Sequence, residues 1–122
     1  MPDARFSVEV VSGIPVVVTP EEIDITNADG MRAALLEAAA HGPGLGRVVV
    51  DMSRTQFCDT AGIHALVAAH KRAEAGRGDI RLVITGAAVL RIFAITGLDS
   101  VIPRFSSLED ALAASSRSTE DN

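Results

Sequence analysis

Three potentially reactive side chains stand next to one another in the stretch FCDTAGIH, residues 57–64. Cys58 offers a thiol, Asp59 a carboxylate and Thr60 a hydroxyl, directly before a segment whose apolar residues recur with helical spacing. Such a group could serve a nucleophilic enzyme, or it could simply begin a helix, because Asp and Thr are both favoured N-cap residues. The unpaired N–H groups of a helix N-terminus would also favour a negative charge at this position.

The spacing around this cluster argues against three kinds of phosphate or protease chemistry. A Cys-dependent phosphatase needs an Arg six residues after the thiolate to hold the phosphate, and His64 occupies that position. An aspartic protease uses Asp-Thr-Gly, whereas this chain has Asp-Thr-Ala-Gly and is too short for two lobes. A receiver domain with Asp51 as phosphoacceptor would need a Lys after a later strand, but Lys71 falls inside a predicted helix. We expect Cys58 to pack as a small apolar residue, and a small Cys-dependent phosphate-handling enzyme remains the alternative from another class.

Composition limits the partners that this cluster could serve. The chain has 122 residues, 48% of them hydrophobic, which is enough to form the core of one domain. Its net charge of -5 and its lack of Trp and Tyr predict no binding to nucleic acid or to an anionic membrane. One cysteine, with no signal peptide or apolar run of membrane-spanning length, predicts a cytoplasmic protein.

The elements that must position the cluster follow from hydrophobic periodicity and turn residues. Strands are predicted at 6–11 and 14–19 as a hairpin about Ser12-Gly13, then at 47–52, at 80–85 and, at an edge, at 101–103; helices are predicted at about 27–41, 61–75, 86–96 and 107–114. This order predicts an α/β fold with a mixed sheet, made of the N-terminal hairpin plus parallel strands, and about four helices. We expect one domain over residues 1–122, with its core at about 6–114 and a flexible polar tail at 115–122.

The remaining charged and imidazole side chains predict no metal site and no cofactor. His70 lies on the apolar face of a predicted helix and is expected to be a core histidine, while His41 and His64 have no carboxylate or second histidine at metal-binding spacing. A loose basic run is expected on a solvated face, and its members are Arg72, Arg77 and Arg81.

Three segments of the chain resemble one known family in the same order and with similar spacing. DMSRTQFCDTAGIHAL, residues 51–66, is similar to the signature of STAS-domain anti-sigma factor antagonists, in which a strand ending in Asp-Leu-Ser precedes a phenylalanine and Asp-Ser-Ser/Thr-Gly-Leu. EEIDITNADGMRAAL, residues 21–35, looks like the family's Gly-Glu-Leu/Ile-Asp segment before the first helix. VLRIFAITGLDSVIPRFSSLEDAL, residues 89–112, looks like its C-terminal segment. The resemblance extends from about Phe6 to Ala114.

This resemblance implies a regulatory binding protein rather than an enzyme. In the family, the hydroxyl residue after the Asp is phosphorylated by a partner kinase that is also the anti-sigma factor, and that position is Thr60. The unmodified protein would bind the kinase and release a sigma factor, phosphorylation would end the binding, and a phosphatase would reset Thr60. The implied partner-binding residues are Asp24, Ile25, Thr26, Asn27, Asp59, Ala61, Gly62 and Ile63.

Two features of the sequence keep alternatives open at this point. Thr60 replaces the commoner Ser, and Ala61 replaces a second hydroxyl residue, although a kinase needs only a reachable hydroxyl. Asp24 and Asp59 could each be a local turn or cap residue instead of a contact. The chain could also be a STAS subunit of a stress-sensing multiprotein complex, or form a homodimer.

Overall fold

Strands and helices alternate along residues 6–114, the part of the chain that the computed structural model describes. The strands are β1 (Ser7–Val11), β2 (Ile14–Val18), β3 (Glu22–Ile23), β4 (Arg47–Asp51), β5 (Phe57–Cys58), β6 (Asp79–Val83) and β7 (Arg104–Phe105). The helices are α1 (Ala28–His41), α2 (Thr60–Ala75), α3 (Ala87–Thr96) and α4 (Leu108–Ala113), with a 3-10 turn at Leu98–Ser100. The tail predicted at 115–122 lies outside the described residues.

The main sheet is mixed, as the sequence predicts. Its five strands lie in the order β1-β2-β4-β6-β7, with β1 and β2 antiparallel and the other neighbours parallel. Ser12 and Gly13 both have positive φ, of 54° and 79°, as a tight hairpin turn between twisted strands requires. The β-branched run at 48–50 in β4 is fully buried because helices cover both faces of this central strand.

Alternating side chains of the strands divide the core between the two faces of the sheet. Val17, Val48 and Val50 pack with the apolar residues of α1, α2 and α3 on one face. Val16 and Val49 pack on the other face with α4. Three helices, α1, α2 and α3, thus pack on one face of the sheet, and α4 packs on the other. The carboxyl ends of the parallel strands meet at one edge of the sheet.

Two expectations from the sequence are wrong. The edge strand predicted at 101–103 is instead β7 at Arg104–Phe105, because the left-handed Gly97 ends α3 and the following 3-10 turn uses the next residues. Arg81 is not on a solvated face but is 2% exposed in β6, where its guanidinium lies 3.4 Å from Asp79 and donates to carbonyl oxygens of α4. The hydrophobic pattern of the sequence does not indicate that Arg81 is buried, because an arginine reads as a surface residue and its buried partners are distant in sequence or charged themselves.

Candidate functional site

A small second sheet brings the two predicted site segments together. β3 and β5 pair in parallel, with Glu22 opposite Phe57 and Ile23 opposite Cys58. The Asp59 N–H donates to the Ile23 carbonyl at 3.0 Å, so the pairing continues to the residue before α2. The loop that follows β3 and the start of α2 consequently lie side by side at the carboxyl edge of the main sheet.

Thr60 is the first residue of α2, and its side chain is exposed. Asp59 is the N-cap: its backbone is extended (φ -89°, ψ -175°) and its Oδ1 accepts from the Gly62 N–H at 3.2 Å. Asp59 therefore satisfies one of the free donors of the first turn, as an N-cap does. The capped first turn places Thr60 at the positive end of a 16-residue helix.

The loop after β3 is held by side-chain to backbone hydrogen bonds. Asp24 Oδ1 accepts from the Thr26 N–H at 2.9 Å and from the Thr26 hydroxyl at 2.5 Å. Asn27 is the N-cap residue of α1, but its side chain accepts no hydrogen bond from the first turn of the helix. Instead, its Nδ2 donates to the Glu22 carbonyl at 2.9 Å and its Oδ1 accepts from the Asp24 N–H at 2.9 Å. These bonds form a tight Asx-type turn that leaves Ile25 80% exposed at its tip.

The predicted site residues fall into two groups by exposure. Those that reach the surface are Ile25, Thr26 and Thr60, which are exposed, and Asp24, Asp59 and Ala61, which are half-buried. Those that lie inside are Asn27, Gly62 and Ile63. The buried residues Asn27 and Gly62 hold the loop and the first turn of α2 in place.

Gly62 is fixed by close packing between α2 and the small sheet. A Cβ at this position would lie 2.7 Å from Cys58 Sγ and 2.7 Å from Ile23 Cγ2. Any larger residue would push α2 away from β3 and β5, and would shift Thr60 relative to the Asp24 loop.

Cys58, by contrast with Thr60, faces the interior. It is 1% exposed, and burial, followed by the nearby Asp59 carboxylate, raises the pKa of its thiol from 9.0 to about 12. A thiol with that pKa is protonated at neutral pH and is a poor nucleophile. The prediction that Cys58 packs as an apolar residue is confirmed, and thiol chemistry has no support from this geometry.

The other polar groups near this edge serve structure. The Thr55 hydroxyl donates to the Pro20 carbonyl at 2.6 Å, and Asp51 Oδ1 accepts from the Ser53 N–H at 3.0 Å. His70 is 1% exposed, with its Nδ1 accepting from the Ile80 N–H at 3.4 Å. Within residues 6–114, no three His, Cys, Asp or Glu side chains are grouped so that they could hold a metal ion.

Sequence reasoning missed one residue that shares this surface. Phe57 is 48% exposed in β5, immediately before the buried Cys58. Exposed and buried side chains alternate along a strand, but a strand of two residues is too short for this period to be recognised in the sequence.

Comparison with known proteins identifies the architecture. The family model described as STAS domain matches residues 5–111. This chain belongs to the STAS domain family. Its STAS fold is similar to the crystal structure of an anti-sigma factor antagonist from Mycobacterium paratuberculosis, with 31% identity, a TM-score of 0.78, and 88% of this chain and 89% of that chain covered.

Two further relatives of this STAS domain carry the same description. BtrV of Bordetella bronchiseptica, which is provisionally described as an anti-sigma factor antagonist, is 26% identical over 110 residues, 90% of this chain and 93% of that protein. The anti-sigma factor antagonist SpoIIAA in its unphosphorylated form is 22% identical with a TM-score of 0.72, covering 88% of this chain and 92% of that chain. The phosphorylated form of Bacillus SpoIIAA gives a TM-score of 0.66 at 21% identity, with 88% and 96% covered. At these identities the SpoIIAA structures show the shared fold.

The longest of the helices in the described part of this STAS domain is α2, with 16 residues. Between residues 6 and 114, none combines the length and the apolar character that crossing a bilayer would require.

Proposed function

We propose that this STAS domain is an anti-sigma factor antagonist that binds an anti-sigma factor kinase, releases a sigma factor, and is switched off by phosphorylation of Thr60. The observation that carries the proposal is the exposed Thr60 hydroxyl at the start of α2, beside the Asp59 cap and the ordered Asp24 loop. Relatives described as anti-sigma factor antagonists over nearly their whole length support the same function.

The unphosphorylated surface would bind the kinase through its exposed groups. Ile25 and Thr60 would provide an apolar and a hydroxyl contact, and the half-buried Asp24 and Asp59 would add carboxylates from the same two segments. Asn27, Gly62 and Ile63 support these contacts from inside. Because the loop and the helix start are already held by hydrogen bonds, little conformational entropy is lost when the partner binds.

Phosphorylation would weaken binding through charge and desolvation. A phosphate on Thr60 adds about -1.5 to -2 charges next to two carboxylates, and these charges must be buried if the partner is to bind. The fold would be kept, because the phosphate lies at the N-terminal end of α2, where negative charge is favoured. The switch therefore acts on binding and leaves the domain folded.

The chemistry of the transfer requires only a reachable hydroxyl from this chain. The kinase would supply the nucleotide, metal and catalytic base, and a phosphatase would later restore the hydroxyl. Ala61 offers no second acceptor beside Thr60.

The test of the site is to incubate the protein with each purified anti-sigma factor kinase of its organism and ATP, and to locate the modified residue by mass spectrometry. We expect a single phosphate on Thr60. Phosphate on Ser53, which is exposed in the loop after β4, or on Ser107, which caps α4, would contradict the assignment.

The test of the switch is Thr60→Asp. We expect at least a tenfold loss of affinity for the kinase, about 1.4 kcal/mol, with the melting temperature nearly unchanged, measured by calorimetry and thermal unfolding. Thr60→Ala should bind normally and accept no phosphate. Ala68→Asp, which adds the same charge to an exposed position two turns further along α2, is the control and should bind like the wild type. Equal affinity of Thr60→Asp and the wild type would refute the switch.

A further inference from the structure

We infer that Phe57 is the apolar anchor of this binding surface, and that the partner surface which receives it is basic around an apolar pocket. The inference rests on the proposed function and adds the chemistry of the partner to it. Phe57 matches the phenylalanine of the family signature, but neither Phe57 nor Glu22 is among the partner-binding residues that the resemblance implies.

Strand alternation determines the direction in which Phe57 points. Ile23 is 0% exposed and Cys58 is 1% exposed, so these paired residues face the core between β3, β5 and α2. Their neighbours Glu22 and Phe57 are also paired and must face the opposite way, because successive side chains of a strand alternate. Phe57 is accordingly 48% exposed, and an aromatic ring in that position offers apolar area that water now covers.

The charges around Phe57 are mostly negative, although Arg54 is exposed three residues before it. Residues 20–27 and 56–63, which form this edge, include Glu21, Glu22, Asp24 and Asp59 and contain no Lys or Arg. Glu22 lies directly across from Phe57, and Asp59 is two residues further along the same chain. A partner that covers the ring must bring cationic groups to these carboxylates, because an acidic or neutral surface would leave them desolvated and unpaired.

A second exposed apolar residue lies in the loop that follows β3, the strand paired with β5. Ile25 is 80% exposed at the tip of the Asp24 loop, which lies beside the start of α2. An exposed aromatic ring and an exposed aliphatic side chain within a rim of carboxylates form the usual arrangement of a binding hot spot, an apolar centre with a polar edge. A phosphate on Thr60 would join this rim, and burying the Phe57 ring would then require the phosphate to be desolvated too.

The decisive comparison is Phe57→Ser against Leu45→Ser. Leu45 is 87% exposed and precedes β4, whereas Phe57 follows it, so the two apolar residues lie at opposite edges of the sheet. With the kinase that phosphorylates or binds the wild type, we expect Phe57→Ser to lose at least about tenfold in affinity and Leu45→Ser less than about twofold. Phe57→Leu, which keeps an apolar side chain, should retain most of the affinity.

The charge of the partner is tested by salt dependence. Glu22→Gln should weaken binding about two- to fivefold at low ionic strength and have little effect near 0.5 M salt, where the Debye length is only a few ångström. Glu37→Gln, an exposed substitution on α1, is the matched control. A Glu22→Gln effect that is independent of salt, or that equals the control, would overturn the basic partner surface.

The outcomes separate this inference from the function on which it rests. Wild-type binding that Phe57→Ser leaves intact would overturn the anchor and keep the proposed function. No binding of the wild type to any anti-sigma factor kinase would overturn both. If Phe57→Ser fails to fold by circular dichroism, a photoreactive phenylalanine analogue at position 57 should cross-link to the purified kinase and the same analogue at position 45 should not; equal cross-linking would reject the anchor.

Discussion

At the scale of single residues, the site depends on which way two reactive side chains, Cys58 and Thr60, face. Cys58 lies in the last position of a strand whose alternation turns it into the core, and Thr60 lies two residues later on the exposed surface of α2. Both could be found from the sequence as a cluster, and the expectation that Cys58 packs as an apolar residue is confirmed by its burial. Asp59 between them caps the helix, which is the structural interpretation that the sequence left open; its contact with a partner stays a prediction.

The buried thiol makes stability fall at high pH. Because the folded pKa of Cys58 is raised to about 12 from an ordinary 9.0, the folded protein keeps a proton between these values that the unfolded chain has lost. The contribution is complete below pH 9 and declines as the pH rises toward 12, by up to about 1.4 kcal/mol per pH unit. Urea unfolding at pH 8 to 11 should show a steeper decline for the wild type than for Cys58→Ala. Parallel declines would contradict the burial of the thiol.

At the scale of elements, long periodic segments were predictable and short paired ones were not. The hairpin, β4, β6 and the four helices follow from apolar spacing, turn residues and caps, and Ser107 caps α4 as its capping-box pattern predicts. β3 and β5 have two residues each, so neither carries a period, and their pairing joins residues that are 35 positions apart. The sequence therefore predicted the individual site segments but could not place them beside each other.

Gly62 lies where α2 packs against the small sheet, and Gly62→Ala, which adds one methyl group, tests how tight this packing is. Gly62→Ala would place a Cβ against Cys58 Sγ and Ile23 Cγ2, so overpacking of about 1 to 3 kcal/mol should exceed the gain of at most about 1 kcal/mol in helix propensity. We expect a lower free energy of unfolding in urea. Gly76→Ala is the control, because its Cβ would meet the nearest atom, the Ala73 carbonyl oxygen, at 3.6 Å and its φ is negative. A Gly62→Ala variant as stable as Gly76→Ala would show that the contact is not tight.

At the scale of the whole molecule, α4 is attached to the sheet by a buried charge. Arg81 Nη1 donates to the Ala111 carbonyl at 2.9 Å and to the Ala114 carbonyl at 2.8 Å, while its Nε lies 3.4 Å from Asp79 Oδ1. Both side chains are almost completely buried. The guanidinium thus binds the last carbonyl groups of a short helix and the carboxylate at the start of β6.

Removing that guanidinium should destabilise the domain far more than removing a surface one. Arg81→Met leaves the Asp79 carboxylate buried without its ion-pair partner, and we expect a loss of about 3 to 5 kcal/mol in the free energy of unfolding. Arg104→Met breaks an ion pair of similar length to Asp99, 3.3 Å, but one that is 40% and 32% exposed, so it should cost less than about 1 kcal/mol. Adding Asp79→Asn to Arg81→Met should recover part of the loss. Equal effects of the two Met variants in chemical denaturation would be inconsistent with this role of Arg81.

The attachment of α4 to the sheet also suggests a position for a fluorescent reporter. Ala114 is bound by Arg81 on the face of the sheet opposite α1 and α2, while the Thr60 hydroxyl stands at the carboxyl edge of the strands. A fluorescent reporter attached at residue 114 would be joined to the domain on the face of the sheet opposite α2, the helix that begins with Thr60. The geometry thus offers a labelling position for following association and release of this domain in living cells.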